Sequence, residues 1–368
     1  MDPNTSTFQH IFPVRAPLGT TFTGGTISLL PWSAAAFYGL LGTTGAGAPL
    51  LAVASEWPLI WVRTAAPLSK FERELLYLRR YSSDQAIATR GNHAWGDVQP
   101  GDDPPDATVL TDAGRMGVES TSLTVEGRRG VHGLFAQLRR GLQEAEPSEF
   151  AKLAGHVVYV WFQEPDVAGP PVMPHKRSDI PAIDALIQAL AEYEPETQQL
   201  LHEPGPPPQT MPELPLSDTT AGARFYAVPL LGGAPGSMLF TLAGFDIALA
   251  YTTLLTAEAA WSEVQRLVDS HDKPGVDLLL VTAGGPDANG NVFPAEEAVA
   301  NFIVEHPIEL SHQPEHIQRV ILHSWGTGRA TALYPDMQLI FGPLYQSMTP
   351  LHHPFAAPPT DTSEFVGA

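Results

Sequence analysis

The sequence predicts an α/β protein, with a mixed, mostly buried sheet flanked by helices and a β-rich N-terminal segment. A continuous apolar run at residues 156–162 is typical of a buried central strand, and the mainly apolar residues 276–282 predict another buried strand. Segments whose apolar residues repeat at helical spacing alternate with these runs along the chain. The absence of cysteine from all 368 residues excludes a disulfide scaffold, a thiol nucleophile and any Cys-ligated metal centre.

Charge is distributed unevenly along the chain. The 20 basic and 40 acidic residues give a formal net charge of -20, which argues against general binding of polyanions but not against one local basic groove. Eleven of the 20 bases fall within residues 63–140. Residues 16–55 carry no charge, yet Gly, Pro and Thr interrupt their apolar stretches before any could span a membrane. We therefore expect no membrane association and, because the N-terminus lacks a secretory signal pattern, a cytoplasmic location.

Composition divides the chain into four segments. Residues 1–66 form a β-rich N-terminal segment that is uncharged over most of its length. Residues 67–203 form an α/β core, and residues 204–216 form a proline-rich linker or surface excursion. Residues 217–368 form an acidic α/β region that could continue the same domain.

The first predicted helix spans residues 69–80. Ser69 and Glu72 match the capping box, in which each side chain accepts a hydrogen bond from the other residue's backbone N–H. Apolar residues then repeat at helical spacing from Phe71 to Leu78. This pattern predicts an amphipathic helix with one buried face.

A hairpin and a second helix are predicted next. The Gly- and Asp-rich run at 96–105 predicts irregular structure, and a short strand follows at 107–111. Residues 112–115 predict the turn, residues 116–125 the return strand and residues 131–144 a helix. The later predicted elements are helices at 179–193, 257–270 and 294–304, and strands at 156–162, 224–231, 238–252, 276–282 and 319–323.

Two acidic residues on the predicted hairpin form the most informative motif. Pro105 and Asp106 precede its first strand, and Glu119 and Thr121 lie on its second strand. Side chains alternate with period two in a strand, so Glu119 and Thr121 share one face. Carboxylates are the hard oxygen ligands that Mg²⁺ selects. We therefore expect Asp106 and Glu119 to converge on one divalent cation.

These features resemble the PD-(D/E)XK nuclease superfamily over about residues 69–162. The shared pattern is an acidic residue on a helix, a Pro-Asp dipeptide, a hairpin whose second strand carries another carboxylate, a helix and a buried strand. The resemblance implies a nuclease-like α/β core and metal-dependent hydrolysis of phosphodiesters.

Carried over residue by residue, the resemblance implies that Glu74, Asp106 and Glu119 hold Mg²⁺. Glu74 matches the helix acid better than Glu72, because Glu72 is committed to the helix cap. The catalytic positions on the strands are Asp106, Glu119 and Thr121. Thr121 departs from the pattern, because the superfamily usually has a lysine there that helps to position or activate the attacking water.

The implied substrate is nucleic acid, bound along the basic residues 63–140. Arg128 and Arg129 suit phosphate contact, since arginine is a poor proton acceptor but a strong phosphate ligand. Gln137, on the following helix, matches a residue that some members place beside a substrate phosphate.

The missing lysine and the acidic net charge favour a non-enzymatic alternative. In that alternative, a catalytically degenerate nuclease-like protein, or an unrelated α/β scaffold, acts through protein–protein contacts. The Pro-rich linker or the acidic C-terminal half would then bind a protein partner. The Gly-rich stretches lack the pattern of a phosphate loop or a dinucleotide fingerprint, so no nucleotide cofactor is predicted.

A second motif, at residues 320–328, resembles the nucleophile elbow of α/β-hydrolases, with Ser324 at the nucleophile position. Leu322 replaces the first glycine of that motif, and too few residues follow Ser324 for the remaining strands of the fold. A strand that ends in a glycine turn explains this motif better.

Overall fold

A computed structural model describes most of the chain between residues 21 and 345. The described residues are 21–29, 36–57, 59–60, 67–92, 95, 98–101, 104–111, 114–124, 128–162, 183–195, 223–229, 244–293 and 295–345. The predicted Pro-rich linker at 204–216, residues 112–113 of the predicted hairpin turn and the first four residues of the helix predicted at 179–193 lie outside them.

Five α-helices lie within the described residues, each at a position that apolar periodicity predicts. They are α1 (Lys70–Thr89), α2 (Arg128–Glu144), α3 (Ile183–Glu192), α4 (Ala257–His271) and α5 (Ala295–Glu305). A 3-10 helix, Pro147–Leu153, follows α2.

The strands of the described residues fall into two groups along the chain. The first group is β1 (Thr21–Leu29), β2 (Ala36–Thr43), β3 (Pro49–Trp57), β4 (Leu59–Ile60), β5 (Val98–Pro100), β6 (Ala107–Thr111), β7 (Gly114–Ser122) and β8 (His156–Trp161). The second group is β9 (Arg224–Pro229), β10 (Asp246–Thr256), β11 (Leu278–Ala283), β12 (Asn291–Val292), β13 (Arg319–Ser324), β14 (Ala330–Tyr334) and β15 (Gln338–Phe341). Strand β5 forms in a run for which we predicted irregular structure.

A mixed seven-stranded sheet carries the predicted hairpin. Its order is β15-β14-β13-β11-β7-β6-β5 within the described residues. Strands β7, β11 and β13 run parallel, and the other neighbours are antiparallel. The predicted class, α/β with a mixed sheet flanked by helices, is therefore confirmed.

A second sheet, of six described strands, has the order β1-β2-β3-β10-β8-β9. Only the neighbours β8 and β10 are parallel among these described strands. The N-terminal strands β1 to β3 confirm the expected β-rich start of the chain. Strand β3 pairs with β10, and β10 with β8, so this sheet joins strands from three of the four segments recognised by composition.

Both faces of the seven-stranded sheet pack against other elements. Leu78 and Tyr81 of α1 share one apolar cluster with Val118 of β7. Leu279 of β11 belongs to a larger core that includes Trp261 of α4 and residues of α2, α5 and the six-stranded sheet. Because side chains alternate along a strand, these two clusters lie on opposite faces of the sheet.

Helix α1 begins as its sequence predicts. Ser69 is the N-cap, and its side chain accepts a hydrogen bond from the Glu72 backbone N–H while the Glu72 side chain accepts one from the Ser69 N–H. The helix continues past the predicted end at residue 80, because no breaker follows and Tyr81 and Asp84 have buried positions to fill. It ends at Thr89, and the C-cap residue Arg90 closes the last turn with a left-handed backbone (φ 53°).

No helix among the described residues is long and apolar enough to cross a membrane.

Candidate metal centre

Asp106, the residue before β6, lies beside Glu119 of β7. The strand register pairs Ala107 with Val118, which places Asp106 just before that pair and Glu119 just after it. Oε2 of Glu119 accepts a hydrogen bond from the backbone N–H of Asp106 at 3.1 Å. Oδ2 of Asp106 accepts one from the backbone N–H of Ser120 at 2.8 Å. The backbone of the hairpin therefore orients both carboxylates.

Glu74 reaches the same place from α1, together with Lys70. Nζ of Lys70 lies 3.3 Å from Oε1 of Glu74 and 4.0 Å from Oδ1 of Asp106. Glu74, Asp106 and Glu119 are 8%, 7% and 2% exposed, respectively. These three residues, which we call the acidic cluster, come from a helix and two strands and meet beside one lysine.

Burial and mutual repulsion raise the pKa of two members of the acidic cluster. Burial is the main cause of the rise in the pKa of Glu74 to about 7, the Asp106 charge adds to it, and Lys70 opposes it. Burial also raises the pKa of Glu119, again with a contribution from Asp106. The Asp106 N–H, Lys273 and Lys70 oppose the rise at Glu119. Glu74 therefore titrates near neutral pH.

The loop after α4 adds positive charge to the same neighbourhood. Lys273 is exposed and lies close enough to favour the ionised form of Glu119. Gly275, two residues further on, approaches the β7 backbone so closely that a Cβ on Gly117 would lie 1.9 Å from its carbonyl oxygen. The end of α4 is thus held against the strand that carries Glu119.

The other residues singled out from the sequence have different environments. Thr121 is half-buried on β7, beside Val281 of β11. Arg128 is buried, at 1% exposure, whereas Gln137 is exposed on α2. The side chain of Arg129 lies outside the described residues. Phosphate contact by these residues stays a prediction.

Lys70 is the residue of this site that our sequence analysis missed. The sequence indicates the contact of Lys70 with Glu74, because the two residues are four positions apart in a predicted helix and such pairs lie next to each other. Its approach to Asp106 could not be read from that spacing, since it depends on how α1 crosses the sheet.

The acidic cluster has suitable donors for Mg²⁺ but is arranged as an ion pair. Carboxylate oxygens are the ligands that Mg²⁺ prefers. Within the part of the chain that the structure describes, no three His, Asp or Glu side chains are grouped closely enough to hold a metal ion. One oxygen each of Asp106 and Glu119 accepts from a backbone N–H, and the second oxygen of Asp106 faces Lys70. A bound cation would therefore share Asp106 with the lysine or displace it.

The hydrolase-like motif forms a tight turn. The Ser324 N–H donates to the carbonyl of Arg329, and its own carbonyl accepts from the Gly328 N–H, each at 2.8 Å. Ser324 is 4% exposed, and Asp336, the first acidic residue that follows it in the chain, is exposed. This geometry agrees with a strand that ends in a glycine turn.

Comparison with known proteins found no match among protein-family models, curated proteins or solved structures.

Proposed function

We propose that the acidic cluster binds Mg²⁺ and that the protein hydrolyses phosphodiester bonds in nucleic acid there. The observation that carries this proposal is the meeting of Glu74, Asp106 and Glu119 beside Lys70, from three separate elements. Burying three acids together opposes folding unless their charge is used or neutralised. A site that binds a cation is one reason for a chain to keep such an arrangement.

Each group of the acidic cluster has a task in this proposal. The charge of Asp106 acts on both Glu74 and Glu119, so Asp106 would contribute to the cation together with either of them. Backbone N–H groups already hold one oxygen of Asp106 and one of Glu119, so little side-chain entropy remains to be lost on binding. The bound Mg²⁺ would polarise a phosphoryl oxygen and favour formation of a nucleophile from water.

Glu74 is suited to proton transfer as well as to cation binding. Its pKa of about 7 means that it exchanges a proton near neutral pH, as a general acid or base must. Lys70 and Lys273 supply positive charge beside the acidic cluster. Local charge of this kind can bind a polyanion even though the whole chain carries a net charge of -20.

A second candidate function is a scaffold that acts through protein contacts. The ion pair of Lys70 with Glu74 favours it, because an ammonium already balances part of the acidic charge. Thr121 occupies the position at which members of the PD-(D/E)XK superfamily, which the sequence resembles, usually have lysine. The absence of that lysine also agrees with a protein that has lost catalysis. In this alternative the acidic cluster is a structural ion-pair group.

Calorimetric titration of Mg²⁺ and Mn²⁺ distinguishes the two candidates. The variants are Glu119→Gln, which keeps an oxygen for the Asp106 N–H, and Glu144→Gln, which changes an exposed acid at the end of α2. We expect wild type and Glu144→Gln to bind the ions alike, and Glu119→Gln to bind about tenfold more weakly or worse.

The same three proteins are then assayed for cleavage of single- and double-stranded DNA and RNA, after circular dichroism has established that each is folded. Cleavage that requires metal and is lost in Glu119→Gln supports the nuclease proposal. Equal metal binding by all three proteins, or none by wild type, overturns it and favours the scaffold.

A further inference from the structure

A surface groove lies between helix α4 and the segment that follows α5. Its volume is about 610 Å³, which is within the range of roughly 300–1,000 Å³ found for ligand pockets. Trp261 of α4 lines the groove together with Ile308 and Leu310 of the segment. Trp261 belongs to the main core, and the other two residues pack against that core. The groove therefore has an apolar floor.

The segment is fixed to α4 at both of its ends. The indole N–H of Trp261 donates to the carbonyl of His306 at 2.9 Å. Gln265, one helical turn further along α4, pairs with both backbone groups of His312. Its Oε1 accepts from the His312 N–H and its Nε2 donates to the His312 carbonyl, each at 3.2 Å. Residues 307–311 are thus held between two anchors, so a ligand has little ordering to impose on them.

Between these anchors the backbone of the segment has pairing capacity to offer. Among the described residues, the N–H and carbonyl groups of Ile308, Glu309, Leu310 and Ser311 pair with no other backbone group. Glu309 and Ser311 are exposed, whereas Ile308 and Leu310 are half-buried, and this alternation is typical of extended chain. An extended segment with unpaired backbone groups is a template on which a second chain can add a strand.

The rim of the groove is acidic. Glu258 and Asp269 of α4 and Glu309 of the segment line it, and all three are exposed. Arg266 also lines the groove, but its Nε lies 2.9 Å from Oε2 of Glu263, which balances its charge. A rim of one sign around an apolar floor suits a partner that carries the opposite charge together with apolar side chains.

We propose that this groove binds an extended peptide segment of a partner protein, in which basic residues alternate with apolar ones. The peptide backbone pairs with residues 308–311, as in the addition of a strand. Because side chains alternate along an extended chain, the apolar ones face the floor at Trp261 while the basic ones lie beside Glu309 and the rest of the acidic rim. None of the lining residues belongs to the acidic cluster, so this inference does not depend on the proposed metal site.

The test is the binding of fluorescein-labelled peptides, measured by fluorescence anisotropy at about 150 mM salt, which screens general attraction to the acidic chain. The probe is the peptide KVKLKVK, and the peptide EVELEVE reverses its charge. Two further forms of KVKLKVK are methylated on the backbone nitrogens of the lysines or on those of the apolar residues. Each methylated form loses the hydrogen-bond donors along one edge of the peptide strand.

Two protein variants change the groove on separate elements. Glu309→Lys reverses one charge of the rim, and Ser262→Tyr places a ring in the groove from α4. Glu144→Lys is the control for charge, because it makes the same change at an exposed position of α2. Ala259→Tyr is the control for size, at an exposed position of α4 that does not line the groove. Thermal denaturation establishes that each variant is folded.

We expect wild type and both controls to bind KVKLKVK alike, and both groove variants to bind it about tenfold more weakly or worse. EVELEVE should not bind. One methylated peptide should bind about tenfold more weakly than KVKLKVK and the other equally well, because the peptide pairs with the segment along one edge only.

Three results overturn the inference. They are no binding of KVKLKVK by wild type, equal binding by the groove variants and their controls, and binding of EVELEVE as tight as that of KVKLKVK. Equal binding of the two methylated peptides overturns the pairing with residues 308–311.

Discussion

The carboxylate of Asp84 on α1 accepts a hydrogen bond from Nε2 of His323 on β13, at 2.9 Å, across 239 positions of sequence. Both side chains are fully buried. Asp84 also accepts from the Tyr345 hydroxyl at 2.9 Å and pairs with Nε of Arg80 at 3.1 Å. Burial lowers the pKa of His323, so the ring is neutral at physiological pH and donates from Nε2. One carboxylate thus joins a helix, a central strand and the segment that follows β15.

Replacing Asp84 should destabilise the fold strongly. Asp84→Ala removes the carboxylate that pairs with Arg80 and accepts from His323 and Tyr345. Loss of one partner from a buried charged pair costs about 3–5 kcal/mol in the free energy of unfolding. Urea denaturation measures this loss, with Asp336→Ala as the control because Asp336 is exposed. Equal stability of the two variants would contradict the role given to Asp84.

Removal of the Tyr345 hydroxyl should have a smaller effect. Tyr345→Phe deletes one hydrogen bond to Asp84 but keeps the ring that lies 4.7 Å from the Arg80 guanidinium. We expect a loss of about 1 kcal/mol in the free energy of unfolding, the usual net value of one hydrogen bond. Urea denaturation that shows no loss would mean that solvent or another donor replaces the hydroxyl.

Glu297 should make stability fall as pH rises. This buried residue of α5 accepts hydrogen bonds from the backbone N–H groups of Gly326 and Thr327, yet burial raises its pKa to about 7. Because the pKa is higher in the folded than in the unfolded chain, the folded state binds the proton more tightly. The contribution of Glu297 to the free energy of unfolding is full below about pH 4.5 and is lost as pH rises through about 7. The expected loss in the free energy of unfolding is on the order of 3 kcal/mol.

Glu297→Gln should remove this part of the pH dependence. Urea denaturation between pH 5 and pH 8 should show the variant gaining on wild type as pH rises. Glu305→Gln, an exposed position on the same helix, should follow wild type throughout. A Glu297→Gln curve parallel to that of wild type would show that Glu297 does not titrate in this range.

Two glycines should respond in opposite directions to replacement by alanine. A Cβ on Gly117 of β7 would lie 1.9 Å from the Gly275 carbonyl oxygen, so the backbone beside Glu119 must move. A Cβ on Gly133 of α2 would meet nothing within 4 Å. We expect Gly117→Ala to lose about 1–3 kcal/mol of stability and Gly133→Ala to gain about 0.5–1 kcal/mol from its helical propensity. Thermal denaturation of both variants checks the contrast.

The acidic cluster should oppose stability when no metal is bound. Because its pKa is raised, Glu74 is ionised at pH 8.5 only against burial and the charge of Asp106. Without metal, Glu74→Gln should therefore be more stable than wild type at pH 8.5 and similar to it at pH 5. Thermal denaturation in a chelating buffer tests this. A less stable Glu74→Gln would mean that the ion pair with Lys70 is structural, as the scaffold alternative requires.

Several elements were predictable because their causes lie within a few residues. Strand β6 has the predicted bounds Ala107–Thr111, set by strand formers between turn residues. The start of α1 follows from the Ser69 and Glu72 capping box, which needs no distant contact. The two strand acids could be placed next to each other because a hairpin brings its own strands together.

Strand neighbours were decided only by the tertiary structure. Strands β8 and β11 both come from continuous apolar runs, and either could have lain beside the hairpin. The structure pairs β11 with β7 and places β8 in the other sheet. An apolar run shows that a strand is buried on both faces, but it carries no information about the strand beside it.

The acidic cluster depends both on local sequence pattern and on tertiary packing. The sequence by itself brought Asp106 and Glu119 together through their spacing on a hairpin, and the resemblance to the PD-(D/E)XK superfamily added Glu74 on the preceding helix as a candidate. Only the tertiary structure decided that α1 crosses the sheet with Lys70 between Glu74 and Asp106, and with Asp84 against His323. Both arrangements depend on the packing of Leu78 and Tyr81 against the sheet, which is a property of the assembled core and not of any one segment.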